Sequence, residues 1–297
     1  MHNDLYAAVT EQFVTALEAG VAPWVRPWSF GIDTLPMNAG TKRTYRGINV
    51  VLLGLEAQRH GYPRNGWLTY RQAADLGGQV RKGEQGCQVV YWRLRNVSAV
   101  ADTYPAEEEH DLPDRVVPLL RSFTVFNIAQ VDGLPSDLMA VPQAPWEPEV
   151  RAEELLLMSG AVIRHGSTQA YYLPSMDEIH LPPRQWFGKS GRYYATALHE
   201  LCHWAGHSSR CNRQLGKRFG DAAYAAEELI AEIGASFLCA HCRVDGQLEH
   251  AASYVDSWLK VLRTDKRAVF VAATKAQQAA DFVLRLTQPP DVQALAA

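Results

Sequence analysis

The sequence predicts an α+β protein of two domains, the first mixing helices and strands and the second mainly helical with a small sheet. Three observations carry this. The chain of 297 residues exceeds one typical domain, and each half is long enough to bury a core of its own. The segment "AVPQAPWEPEV", residues 140–150, sets three prolines among small and acidic residues and suits a stiff linker, so the domains are taken as 1–139 and 151–297. Ahead of that linker helical spacing gives way to β-branched and aromatic runs, whereas beyond residue 190 only helical spacing recurs.

"LYAAVTEQFVTALEAG" stacks Leu5, Val9, Phe13 and Leu17 on one helical face and stops at Gly20. "VAPWVRPWSF" then fixes extended backbone around Trp24 and Trp28. "RGINVVLLGLEAQRHGY" predicts a second helix closed near Gly61, and "TYRQAADLGG" a short third one ending on a glycine pair. "QGCQVVYWRL" and "RSFTVFNIAQV" predict strands paired across an exposed acidic loop. After the linker, "RAEELLLMSG" predicts a helix with a glycine stop. "AVIRHG" and "AYYLPSMDEIHLP" predict strands, the latter broken by Pro174 into an edge or a hairpin. "RYYATALHELCHWAG", "DAAYAAEELIAEIGASFLCAHC", "HAASYVDSWLKVLR" and "TKAQQAADFVLRL" predict four closing helices.

A hydrophobic share of 47% with 21% charged residues excludes wholesale disorder. No run of 18 apolar residues offers a membrane span, and the first residues lack a basic region followed by an apolar run. The expectation is a cytoplasmic protein with no membrane partner. Five cysteines, an odd number, agree with a reducing compartment. Cys239 and Cys242 of "CAHC" read as helix-core residues, since no second C-x-x-C completes a metal site.

His199, Glu200 and His203 form H-E-x-x-H inside an uninterrupted helical run. Four-residue spacing stacks both imidazoles on one face, where they can grip one ion, while Glu200 stands one step around the helix to act as general base on an activated water. A third ligand is needed. The pattern H-E-x-x-H-x-x-G-x-x-H would place it at 209, which is serine here, despite the matching Gly206. Glu228 and Glu232 share a face of the next helix among apolar neighbours, where a carboxylate is costly to bury unless it is paired or bound to metal. Glu232 is preferred as ligand, because Gly234 and Ala235 let the two helices approach. Glu228 is then an outer partner that orients a ligand histidine, or the roles are reversed. The ligand types favour Zn2+, with Mn2+ as the alternative. Tyr171, Tyr172 and His207 are candidates to line the cleft and steady an oxyanion. The strand just before the metal helix offers an edge for an extended peptide.

Charge is divided unevenly. Residues 1–95 hold 11 Lys/Arg against 7 Asp/Glu, and residues 101–150 hold 10 Asp/Glu against Arg115 and Arg121. In the first region cations alternate with rings: Trp24, Arg26 and Trp28; Lys42, Arg43, Tyr45 and Arg46; Arg64, Trp67, Tyr70 and Arg71; Arg81, Lys82, Tyr91, Trp92 and Arg93. Rings that stack bases and cations that neutralise phosphates hold single strands without reading sequence. The bland reading is an aromatic core under a solvated charged face.

The series "APWVRPW", "PMNAGTKRTYRGINVVLL", "WLTYRQAADLGGQVRKGEQGCQVVYW", "FTVFNIAQVDGLP", "ALHELCHWAGH" and "EELIAEIGASFL" resembles the ArdC-type antirestriction proteins of conjugative plasmids, from about residue 4 to about residue 245. The resemblance implies an N-terminal single-stranded DNA-binding domain joined to a zincin-like metallopeptidase domain that protects incoming plasmid DNA from host restriction. It assigns His199, Glu200 and His203 to the metal site and the Trp/Arg/Lys positions of the first domain to DNA. A host restriction component is then the expected protein target. Two rivals stay open: a non-catalytic strand-coating protein whose metal is structural in a partner-binding zincin-like domain, and a regulatory or toxin-like peptidase tethered by DNA.

Overall fold

Apolar spacing over residues 5–17 does produce the opening helix, α1 (Leu5–Glu18), but its buried face turns toward the far end of the chain. The computed structural model describes residues 4–19, 35–97, 115–139, 148–187, 189–215, 222–244 and 251–287. Asp4 caps α1 by accepting the Ala7 N–H. Strand β1 (Met37–Asn38) leads into α2 (Ile48–His60), closed as expected by Gly61 in the left-handed conformation. Then come β2 (Gly66–Leu68), α3 (Tyr70–Asp75), β3 (Gln79–Val80), β4 (Cys87–Val97), β5 (Arg115–Asn127), β6 (Val131–Asp132) and the single turn α4 (Ser136–Met139). A Thr69–Gln72 capping box starts α3.

The expected pair β4–β5 is antiparallel, with Cys87 opposite Val125 and Val97 opposite Arg115. It forms one side of a four-stranded sheet ordered β1-β2-β5-β4, while β3 and β6 pair separately. The outer edge of β4 is covered by a side chain. Asn49 of α2 donates to the Val90 carbonyl at 2.7 Å and accepts the Val90 N–H at 2.8 Å, standing in for a neighbouring strand.

Of the predicted linker, residues 140–147 lie outside the described residues, and the last three already belong to helix α5 (Pro148–Met158). Proline tolerates that first helical position because its missing N–H would have had no partner there. A three-stranded sheet follows, ordered β7-β9-β8, from β7 (Val162–His165), β8 (Tyr171–Leu173) and β9 (Glu178–Leu181). The segment broken by Pro174 is thus a hairpin with β8 at the sheet's edge. Four helices close the fold: α6 (Ser190–Ala205), α7 (Ala222–Cys242), α8 (Ala251–Thr264) and α9 (Ala268–Leu286). Cys239 and Cys242 are buried free thiols on α7, as expected.

The first half does bury clusters of its own, around Trp67 and around Leu68, but α1 and α2 also share a core with the second half. Val9, Phe13 and Leu17 of α1, and Val50 and Val51 of α2, belong to the same apolar cluster as Leu198, Leu229, Trp258 and Val269 from the closing helices. Thr10 donates its hydroxyl to the Lys266 carbonyl at 2.8 Å, and the ion pairs Asp4–Lys266 and Glu18–Arg263 flank that contact. Nearby, the Gly47 N–H donates to Gln277 of α9 at 3.0 Å, and Arg46 pairs with Asp281. Phe13→Ala is therefore expected to destabilise the whole chain by about 3–5 kcal/mol. Urea denaturation followed by far-UV dichroism checks this; a loss confined to a minor early phase would mean that α1 is a detachable arm.

Candidate metal centre and nucleic-acid interface

The helix carrying the motif is regular because nothing interrupts it. Residues 190–205 form α6, and His199, Glu200, Leu201 and Cys202 are all buried on it. Helix α7 lies against α6 at a distance that glycine permits: a Cβ on Gly234 would stand 2.8 Å from the Cys202 sulfur. The close approach expected there is present.

Where the helices meet, His199, His203 and Glu228 converge, the one such group of potential ligands among the described residues. The two Nε2 atoms lie 3.1 Å apart. Glu228 presents Oε2 at 3.5 Å from His199 Nε2 and Oε1 at 3.6 Å from His203 Nε2. Tetrahedral ligands at ~2.0–2.1 Å from an ion stand roughly 3.3 Å from one another, so two imidazoles and one carboxylate at these spacings fit a divalent cation. Glu232, the sequence's preferred ligand, lies outside this group. It is buried one turn farther along α7, and its charge raises the pKa of His199. Of the two glutamates, Glu228 is the one whose carboxylate converges with both imidazoles.

Electrostatics describe the same cluster. Burial alone would lower His203, but hydrogen bonds to Glu227 and Glu228 overcome it and raise the imidazole to about 10. Burial likewise favours neutral Glu228, yet hydrogen bonds from His199 and His203 hold that carboxyl well below its usual range. The pocket thus favours a cation between its carboxylates. Glu200 is raised, chiefly by burial, and accepts the backbone N–H of Tyr172 from edge strand β8. That contact ties Glu200 to the edge beside it.

Several neighbours escaped the sequence reading. Glu227 faces His203 Nδ1 at 3.2 Å and is itself held by Arg213. Tyr224, one turn before Glu228, hydrogen-bonds that carboxylate, and its hydroxyl stands 3.2 Å from that of Tyr254 on α8. Charge beside charge at 227 and 228 was the available signal for the first; nothing local marked the tyrosines.

The cleft candidates separate. The Tyr172 hydroxyl donates to Asp177 at 2.7 Å, and Arg210, lying on the Trp204 ring, pairs with the same aspartate. The Tyr172 hydroxyl is thus held between Asp177 and Arg210. His207 bonds Ser209 through Nδ1 at 2.8 Å. Tyr171 is exposed and stacks on His180 with ring centroids 4.8 Å apart.

The basic and aromatic positions of the first domain also divide. Trp67 is 0% exposed, packs with Leu53, Val89 and Val125, and donates its indole N–H to Asn65 at 2.8 Å. It is a core residue and no platform for a base, which corrects the expectation. Tyr45 is partly buried against two apolar clusters. Arg81 is occupied by Glu84 and Asp132, as Arg46 is by Asp281. Lys42, Arg43, Arg71 and Lys82 are exposed. Trp24, Arg26 and Trp28 lie outside the described residues, and Trp92 is placed only as a backbone position in β4. Among the described residues of this domain the exposed rings are Tyr70 at 54% and Tyr91 at 42%, both members of the alternating series, and Phe123 at 39%, which lies outside it. Tyr91 and Phe123 stand 5.6 Å apart by centroid, with exposed Arg121 directly across from Tyr91.

Helix α6, its converging carboxylate from α7 and the three-stranded sheet define a zincin-like metallopeptidase domain, and residues 150–275 match the family described as zincin-like metallopeptidase. Residues 3–126 match the N-terminal domain of anti-restriction factor ArdC. The crystal structure of the antirestriction ArdC protein from plasmid R388 in its metal-free form superposes with a TM-score of 0.80 at 40% identity, over 96% of this chain and 98% of that one. The Mn(II)-bound form of the same protein gives 0.77 at 41% identity, over 97% and 100%. The chain belongs to the ArdC antirestriction protein family. It is also 41% identical over 286 residues to the uncharacterized protein y4eC of Sinorhizobium fredii, covering 92% of it. It matches DNA primase TraC of Escherichia coli at 41% identity over 291 residues, which is only 27% of that protein's length. No helix among the described residues is long and apolar enough to cross a membrane.

Proposed function

We propose that this antirestriction protein binds single-stranded DNA through its N-terminal half and hydrolyses a peptide bond at the His199–His203–Glu228 centre, protecting incoming conjugative DNA from host restriction. The observation that carries the catalytic part is the triangle of two imidazole nitrogens and a carboxylate, with a buried Glu200 beside it. His199, His203 and Glu228 hold the divalent ion, Zn2+ or Mn2+. When bound, that ion supplies Lewis-acid polarisation of the scissile carbonyl and acidifies water. Glu200 takes the proton of the attacking water and returns it to the leaving amine. Burial raises its pKa and so makes it a better base than an exposed carboxylate. The outer strand β8 aligns an extended peptide next to Glu200. A component of host restriction is the protein target that this role calls for.

The DNA part is supported by the β4–β5 surface, where Tyr91 and Phe123 offer ring faces and Arg121, with Arg71 and Lys82 elsewhere on the domain, offers phosphate contacts. Tyr91→Ala and Phe123→Ala are each expected to weaken binding of a labelled oligothymidine by about 1–3 kcal/mol. Binding to single strands exceeds binding to duplex and falls steeply with salt. Fluorescence anisotropy at several salt concentrations measures all three; equal affinity for both DNA forms would remove the stacking reading.

A further inference from the structure

We infer that Glu227, held by Arg213, is the positioning residue of the metal centre, fixing the His203 ring so that Nδ1 is its proton-bearing atom and Nε2 faces His199 and Glu228. The inference rests on the proposed ligand set and adds to it the device that orients one ligand.

Glu227 precedes Glu228 on α7, so the two carboxylates leave the helix about 100° apart. Both approach His203, from opposite sides of its ring: Glu227 Oε1 lies 3.2 Å from Nδ1, Glu228 Oε1 3.6 Å from Nε2. Both oxygens of Glu227 are gripped by a single guanidinium, Arg213 Nε at 3.0 Å from Oε2 and Nη2 at 2.6 Å from Oε1. The Arg213 and Glu227 side chains are 3% and 4% exposed. A two-pronged grip fixes the plane of the carboxylate as well as its position. An ionised carboxylate accepts and never donates, so the Nδ1 it faces must bear the hydrogen. The lone pair is then left on Nε2, where an ion needs it.

The backbone is shaped around this pair. Arg213 Nη2 also donates to the Cys202 carbonyl at 2.6 Å, and the Arg213 N–H donates to the Gly206 carbonyl at 2.8 Å. Gly206 itself has φ −74°, so no left-handed turn calls for glycine there. Space does: a Cβ would lie 2.7 Å from Arg213 Nη2 and 2.7 Å from Leu215. The glycine after the motif helix makes room for the arginine. The other imidazole is treated differently, since buried Nδ1 of His199 has no hydrogen-bond partner among the described residues. Orientation is imposed on one ring of the two.

The test is a competition titration of Zn2+ and of Mn2+ against a chromophoric chelator, with 15N NMR of the Zn2+-loaded full chain to read the His203 tautomer. Wild type is expected to bind the ions with Nδ1 of His203 protonated. Glu227→Gln, which keeps the size and loses the charge, is expected to weaken binding roughly 10–100-fold and to mix the tautomers. Arg213→Lys keeps the charge without the fork and is expected to give a smaller loss in the same direction. Wild-type protein that binds neither ion would overturn the ligand reading itself. Wild type that binds, with Nδ1 unprotonated, would overturn the inference alone, and so would Glu227→Gln with unchanged affinity and tautomer. Should the glutamine variant fail to fold, the wild-type tautomer and Arg213→Lys still decide.

Discussion

Glu200→Gln is expected to lower peptide hydrolysis by about 10²–10⁴-fold while bound metal stays at the wild-type level. The glutamine side chain has the same length and can still meet the Tyr172 N–H through its carbonyl oxygen. It cannot accept a proton at neutral pH, so the change removes one step and little else. Two measurements on the same sample check it: metal content by mass spectrometry, and cleavage of a diverse peptide mixture read by the new termini it produces. Protection of conjugated DNA in a restricting host, scored with the same variant, then asks whether protection depends on hydrolysis. Protection intact with hydrolysis lost would favour the strand-coating protein over the peptidase.

The second large effect separates two glutamates one helical turn apart. Glu228→Ala is expected to reduce affinity for Zn2+ or Mn2+ by more than the roughly 100-fold ceiling typical of an outer-sphere partner, because it removes one of three converging donors. Glu232→Ala is expected to stay within that ceiling, since its carboxylate lies outside the triangle of converging donors. Calorimetric titration of both variants against wild type measures the difference. The reverse ranking would return the third ligand to Glu232.

That ambiguity shows where sequence reading ends. The H-E-x-x-H pair was legible because four-residue spacing and helix period are both local, and no tertiary choice alters which face His199 and His203 share. Glu228 and Glu232 share a face equally well, but which of their turns meets the histidines depends on how far α7 slides along α6. No local pattern encodes that offset. Arg213 was silent for a related reason: its partner lies 14 residues away in sequence, and a lone arginine there reads as solvated surface. The expectation for Trp67 failed because β2 is three residues long and buried on both faces, too short to show alternation. β1, β3 and β6, of two residues each, left no trace of their own. Long elements fared better, since α2, α5–α9 and the β4–β5 pair all carry their period over many residues.

Helix α1 packs on a part of the chain made much later, its Thr10 bonding residue 266 across 256 positions of sequence. During synthesis the first helix leaves the ribosome long before the surface it covers has been translated, and its oily stripe must wait in solution or in the grip of a chaperone. Docking of α1 therefore waits for α8 and α9. A nascent or truncated fragment lacking those two helices is left adhesive rather than simply shorter.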